Sequence, residues 1–460
     1  MKIERAGIER VTIERARIEQ AGSEQAGFER MTRARAARWA GRPVALALSV
    51  AIAALALPET GLAQQTVDDR MENDTAATRL RPEYDQAGIP AGSFVLLPTL
   101  AIDAGWNDNI YARSDIKVAD EILSLRPDLI ARSQWSRHEL IVHASGDVDR
   151  YANHATEDVA TWAINTTARL DLGAQTTLSG GAMFAHQIEQ RGTTGDTLFG
   201  AAPIAYGQLN ADVKLEQGFD RTRVSLSGHL ERYRYAPRVL DGTPIDLSYR
   251  DYDQINGTLR VAQALSPGVA AYVDLALDRN TYTYENLRAG QRDSTQYAAL
   301  AGLSFGLNRL LQGEAELGYF HRTFKDSAYP PVSGLDYSVK LSWSPTQLTT
   351  VALAADKAFQ RAPMLGVAGF VQQDVGIAVT HELLRSLLLR PGASYTYAQY
   401  VGSPFHDRFA SASLGATCML SRHWQIDASA THRLGRYSDA LLAGRNFDQN
   451  RIMLSLTYKL

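Results

Sequence analysis

Cysteine is nearly absent from this chain. Cys418 stands alone among 460 residues, which excludes an intramolecular disulfide framework and any metal site built from several thiolates. Neither sign of charge dominates, because 47 basic and 50 acidic residues leave a formal net charge of −3. The basic surplus that a nucleic-acid partner calls for is therefore missing. No run of about 18 apolar residues occurs, so no helix of this chain suits a bilayer. If the chain is integral to a membrane, the remaining solution is a closed barrel, since open sheet edges find no hydrogen-bond partners in lipid. Catalytic signatures are missing as well. There is no GxSxG elbow, no HExxH helix and no GxxxxGK followed by Ser or Thr, and His381-Glu382 lacks a second histidine. Asp147-Val148-Asp149 and Asp251-Tyr252-Asp253 carry paired carboxylates at strand spacing, which is little to hold calcium with. The chain reads as a non-enzyme with no cofactor, no metal and no nucleic-acid partner.

What is present begins with a low-complexity stretch. Residues 3–32 are six pentapeptides, IERAG, IERVT, IERAR, IEQAG, SEQAG and FERMT. Five residues advance a helix by about 140°, so the isoleucines scatter around it instead of forming a stripe. Residues 1–30 are expected to lie upstream of the true start at Met31. Arg33, Arg35, Arg38 and Arg42 then precede an apolar segment, Val44 to Leu57, interrupted only by Ser49. Pro58 breaks the pattern, and Gly61-Leu62-Ala63 offers the small residues of a cleavage site. Residues 31–63 have the layout of a secretory signal peptide, with cleavage expected between Ala63 and Gln64. Residues 64–92 are polar without an apolar face and read as a flexible periplasmic leader, too short to be a folded plug.

From residue 93 the pattern changes to a two-residue period. Leu209, Ala211, Val213 and Leu215 oppose Asn210, Asp212, Lys214 and Glu216; Ile452, Leu454, Leu456, Tyr458 and Leu460 oppose Met453, Ser455, Thr457 and Lys459. A soluble sandwich alternates in the same way. Three features favour a transmembrane barrel over residues 93–460. Short turns near Ser136, Gly173, Asp220, Pro267, Asn308, Pro345, Leu384 and Ser421 take turns with longer polar stretches such as 107–120, 188–203, 236–248, 280–291 and 435–448, which is how outer-membrane barrels are built. Aromatics gather at strand ends (Trp106, Tyr111, Trp135, Tyr151, Tyr233, Tyr235, Tyr319, Trp343, Tyr395, Tyr397 and Trp424), as two interfacial girdles require. The last segment resembles the C-terminal assembly signal of such barrels, with Leu460 where an aromatic is usual. The expected fold is all-β: an antiparallel up-and-down barrel of about 18 strands, with 16 as the alternative count. The count of 16 drops the segments with the weakest alternation, among them the first, which contains Pro98, and the pair over 160–187. Parity also slips near Arg232 and Arg234, as at a bulge or where a strand leaves the membrane.

A Lys or Arg facing lipid costs about 2–4 kcal/mol at the midplane. That cost assigns the charged positions to the lumen: Arg126, Asp128, Arg132, Asp147, Arg169, Asp212, Lys214, Glu216, Arg260, Asp274, Glu314, Glu316, Asp336, Lys340, Asp374, Arg390, Asp427 and Arg433. Cys418 falls with Leu414 and Leu420 on the outer face.

Short pieces in order carry a resemblance: Asp108-Asn109-Ile110-Tyr111, Trp135-Ser136-Arg137-His138, Arg250-Asp251-Tyr252, Arg292-Asp293-Ser294, Trp343-Ser344-Pro345-Thr346 and His381-Glu382-Leu383. Over residues 94–460 the chain resembles the putative β-barrel porin type 2 family of outer-membrane proteins. The resemblance implies a porin-like barrel in the outer membrane of a Gram-negative cell, in some members linked to capsule or exopolysaccharide export, and implies no catalytic or ligand residue. The expected function is a polar-lined pore for passive diffusion or export of hydrophilic solutes, saccharides among them. The expected partners are outer-membrane lipid, the barrel assembly machinery and a hydrophilic solute or polysaccharide. A structural or exopolysaccharide-assembly barrel with a closed lumen is the second reading, and an outer-membrane hydrolase or acyltransferase the third.

Overall fold

The computed structural model describes residues 75–460 apart from 77, 195–201, 241–242, 284–290, 308–309, 365 and 440–444. The pentapeptides, the export signal with its expected Ala63–Gln64 cleavage, the start of the leader and the turn residue Asn308 lie outside the described residues.

A three-residue strand β1 (Ile89–Ala91) leads into β2 (Phe94–Asn107), β3 (Asp120–Ser133), β4 (Glu139–Tyr151), β5 (Val159–Asp171), β6 (Thr176–Ile188), β7 (Ala205–Phe219) and β8 (Thr222–Tyr235). A loop hairpin, β9 (Arg238–Leu240) and β10 (Thr243–Ile245), precedes β11 (Tyr252–Ser266), β12 (Val269–Tyr282), β13 (Ser294–Leu307), β14 (Leu311–Phe324) and β15 (Val332–Thr346). The sheet ends with β16 (Thr349–Arg361), β17 (Gly369–Leu384), β18 (Leu387–Tyr400), β19 (His406–Met419), β20 (Trp424–Tyr437) and β21 (Phe447–Lys459). Leaving β1 and the loop hairpin aside, eighteen long strands each pair antiparallel with their chain neighbours. The sheet closes on itself where β2 meets β21, from Thr99↔Lys459 to Asn107↔Arg451. The strand count is therefore 18, not 16, and the segments over 160–187 are the ordinary staves β5 and β6.

Side chains on one face of each strand are exposed and apolar, while the other face is covered and polar. Leu123, Leu317 and Leu414 are 57–58% exposed, whereas Asp103 and Ser124 are 0% and Thr417 is 3% exposed. A water-soluble protein does not present a continuous apolar band around its whole girth; hydrocarbon is the solvent such a band fits.

Prolines sit where the ladder already lapses. Pro98 lies one residue before the β2–β21 seam begins. The β3–β4 register breaks off at Leu125↔Val148 and resumes at Asp128↔Ser145, around Pro127. The β17–β18 register skips from Ala378↔Gly392 to His381↔Leu389, around Pro391. A missing N–H costs little at such gaps. The turns are tight: Asp220 in the β7–β8 turn has φ +51°, which Asp tolerates, and Gly268 in the β11–β12 turn has φ +76°. An added Cβ at Gly268 would lie 2.4 Å from the Gly306 carbonyl oxygen, so only glycine serves.

The described end of the leader is tied to the turn rim. Arg81 Nη2 lies 2.7 Å and Arg79 Nη1 3.3 Å from Glu382 Oε2. Arg422 donates to the Pro82 carbonyl at 2.8 Å, Glu83 pairs with Arg385, and Gln86 donates to the Pro98 carbonyl at 2.8 Å. Ala76 and Arg81 are buried. This anchoring runs through ion pairs and hydrogen bonds to backbone carbonyls rather than an apolar stripe, so a reading for periodicity does not register it.

Candidate functional site

Residues paired across an antiparallel rung share a face, so the register carries one face from stave to stave. Arg361, at the end of β16, identifies the inner one. Its Nη1 donates to Gln254 Oε1 at 2.6 Å, and its Nη2 donates to the Tyr252 hydroxyl at 2.9 Å and lies 3.3 Å from Glu231. Gln254 and Tyr252 are on β11 and Glu231 is on β8. None of these strands neighbours β16, so the contact crosses the interior. From Tyr252 the register reaches Arg260↔Asp274, Glu314↔Lys340, Asp356↔Asp374 and Thr417↔Asp427. It places all eighteen charged positions named from the sequence on the face opposite the exposed leucines.

The structure brings some of these together and leaves others apart. Arg260 is the hub of the largest group. It donates through Nε and Nη2 to Asp274 at 2.8 and 2.7 Å, pairs with Glu314, lies 3.5 Å from Glu316, and stacks 3.9 Å from the Tyr272 ring centre. One guanidinium thus faces three carboxylates. Arg126 bridges Asp103 and Asp147, Asp128 meets His143, Lys214 lies 2.7 Å from Glu216, and Arg169 lies 3.6 Å from Asp171. Arg433 donates to Gln449 at 3.1 Å. Asp374 accepts from Thr396 and Gln372, and Asp427 from Thr417 and Gln425. Arg132, Asp212, Asp336, Lys340 and Arg390 form no ion pair with any described residue. The paired-carboxylate segments are occupied by protein donors: Asp149 takes the Ser124 hydroxyl, Asp251 the Tyr235 amide, and Asp253 both Arg232 and Arg234.

At the loop end the interior narrows. A ladder of inward tyrosines, Tyr206, Tyr233, Tyr235, Tyr252 and Tyr282, crosses β7, β8, β11 and β12 with neighbouring rings 4.8–6.1 Å apart. Guanidiniums lie on three of these rings: Arg250 on Tyr235 at 4.2 Å, Arg361 on Tyr252 at 4.0 Å and Arg292 on Tyr282 at 4.2 Å. Between them is a cavity of about 300 Å³ whose lining includes Glu189, Arg250, Gln360, Arg361 and Gln372. The segment 189–194 also folds inward. Arg191 chelates Glu157 at 2.7 and 2.9 Å, and Gly192 lies so close to Phe447 that a Cβ would come within 2.6 Å of the ring.

Two expectations about aromatics need correction. Tyr233 and Tyr235 belong to the interior ladder and not to a lipid girdle, since they share parity with His229 and Glu231 on β8. Tyr151 is inward as well, on the face of Asp149 and Asp147. Trp106, Tyr319, Trp343, Tyr395 and Trp424 do stand on the exposed face. Arg232 and Arg234 mark the strand's exit, not a bulge, because the β7–β8 register runs unbroken past them.

Sequence reasoning missed Asp103, Glu231, Asp278, Arg322 and Arg361. Parity held the signal for Arg322, which alternates in step with Glu314 and Glu316 and lies 2.7 Å from Asp278. It held none for Arg361. The last β15–β16 rung at the loop end is Tyr337↔Lys357; beyond it β16 has lost one neighbour and turns Phe359 and Arg361 inward.

Residues 81–460 match the model of a family described as Putative beta-barrel porin 2. No functionally curated protein matches the sequence. Among solved structures, the outer membrane protein OpdK from Pseudomonas aeruginosa is 11% identical with a TM-score of 0.41, covering 79% of this chain and 99% of that one. OccK2 (OpdF) from Pseudomonas aeruginosa is 13% identical with a TM-score of 0.43 over 79% and 98%. A BenF-like porin from Pseudomonas fluorescens Pf-5 is 11% identical with a TM-score of 0.42 over 79% and 99%. These likenesses are too distant to carry a solute from those proteins to this one.

Proposed function

The chain belongs to the putative beta-barrel porin 2 family and is a porin-like barrel of the outer membrane, and on that premise we propose that it forms a polar-lined pore for hydrophilic solutes, saccharides among them. One observation carries the reading: a closed ring of eighteen strands sets an apolar band outside and a charged and hydroxylated wall inside. Eighteen staves enclose enough width for an aqueous channel. On this reading the eighteen charged positions line the solute's path. Those already committed to ion pairs stiffen the wall, and the balance of charge along it, unpaired Arg132, Asp212, Asp336, Lys340 and Arg390 included, sets its preference among ions. Solute is conducted without covalent chemistry. The barrel assembly machinery inserts the chain, and the described part of the leader lies on the periplasmic side.

The test is single-channel recording in a planar bilayer. Discrete current steps from folded protein are expected. Silence from protein whose SDS-gel migration still changes on boiling would refute the pore. A closed-lumen assembly barrel would then be the better reading, favoured by the inward segment 189–194 and the span of Arg361 across the interior.

A further inference from the structure

The loop-end cavity combines features that a water-filled passage does not need. Three guanidinium carbons each lie 4.0–4.2 Å from a tyrosine ring centre, an arrangement that restrains a flexible side chain. Two carboxylates face them. Glu189 is chelated by Arg250, with one oxygen at 2.9 Å, and Glu231 lies 3.3 Å from Arg361 and 3.3 Å from His229. Arg292 is 4% exposed and donates to the carbonyl oxygens of Ala362, Met364 and Tyr249, with no carboxylate partner among the described residues. Among the described residues, three cations against two anions leave one positive charge over, carried by Arg292 against the Tyr282 ring that lines the cavity. Arg361, which lines the cavity, has five N–H donors, three of which go to Gln254, Glu231 and Tyr252, so two have no partner among the described residues. Around them Gln360, Gln372 and Thr194 offer both donors and acceptors, and the Tyr282 hydroxyl is buried without a hydrogen-bond partner among the described residues. A cavity of about 300 Å³ stands at the small end of the range for ligand sites, about 300–1,000 Å³.

We infer that this cavity is a binding subsite for a sugar acid: a single hydroxyl-rich ring whose carboxylate meets Arg361 and whose hydroxyls meet the glutamines. The excess positive charge selects the carboxylate, since charge-assisted bonds to a guanidinium are about twice as strong as neutral ones. The mixed donors and acceptors select hydroxyls over a bare aliphatic or aromatic acid. The inference deepens the pore reading and rests on it, because solute reaches the site through the lumen.

Titration calorimetry on the folded full chain in detergent tests it, with sodium glucuronate and glucose as probes at matched ionic strength. Saturable glucuronate binding at least tenfold tighter than that of glucose is expected. Arg361→Gln should weaken glucuronate at least tenfold, and Glu231→Gln, which removes a competing carboxylate, should tighten it several-fold. Equal binding of the two sugars, or no saturable glucuronate binding to folded protein, overturns the subsite, and so does an unchanged affinity in Glu231→Gln. If Arg361→Gln does not fold, the sugar comparison and Glu231→Gln still decide. Conductance is read separately: glucuronate binding without current sinks the pore and spares the subsite, and current without glucuronate preference does the reverse.

Discussion

Neighbouring positions of β14 and β15 meet different solvents, and their substitutions should show it. Leu317→Arg puts a cation on the exposed apolar face and should cost about 2–4 kcal/mol in denaturant unfolding from vesicles. Ser338→Arg, opposite Glu316 on the inner face, should cost less than about 1 kcal/mol by the same measure. Equal costs would mean the faces are wrongly assigned. Arg260→Gln removes the one cation among Asp274, Glu314 and Glu316. Reversal potentials under a salt gradient should shift toward cation preference, and stability should fall by about 1–3 kcal/mol as the carboxylates lose their donor. Most of these residues could be read in advance, because charge and strand parity are both written in the sequence. Arg250 and Arg292 could not, since they enter the interior from loops, where no periodicity points a side chain anywhere.

Strands and short turns were legible one by one. Each stave is a two-residue alternation ended by residues that cannot continue it, and the tight turns fall where those signals cluster. The inward bend of β16 was not legible, because it follows from a missing neighbour and not from its own residues. The leader segment illustrates the same limit, since partners three hundred residues away hold it. Glu382→Gln removes the carboxylate that clasps Arg79 and Arg81. Limited proteolysis within residues 75–88 should then become severalfold faster in otherwise folded protein, and an unchanged rate would show the clasp to be idle. Acid should loosen the same strap. The Arg385 guanidinium beside Glu83 holds its carboxyl below the usual 4.5. A depressed carboxyl contributes its stabilisation above its ordinary value and loses it as pH falls through the lower, folded one. Proteolysis should therefore be slow at neutral pH and accelerate only below about pH 4.5, and Arg385→Gln should flatten that dependence.

At the scale of the whole molecule, every interior strand edge is consumed in making the ring, which is why such a structure resists detergent. Folded protein should run at a different apparent mass on SDS gels before and after boiling, and identical migration would argue against a closed barrel. Closure itself was inferable from the lack of any membrane helix beside repeated alternation. The pinch at the loop end was not, because it arises between walls that no local pattern connects.

The seam from Thr99↔Lys459 to Asn107↔Arg451 has a temporal consequence. The first stave must wait for the last, so a ring under assembly exposes two unpaired edges until β21 is in place. A product cut short anywhere before β21 could never hide them, and would be an aggregate or a protease substrate instead of a smaller pore. Completion of the ring thus doubles as a check that every stave from β2 to β21 is present.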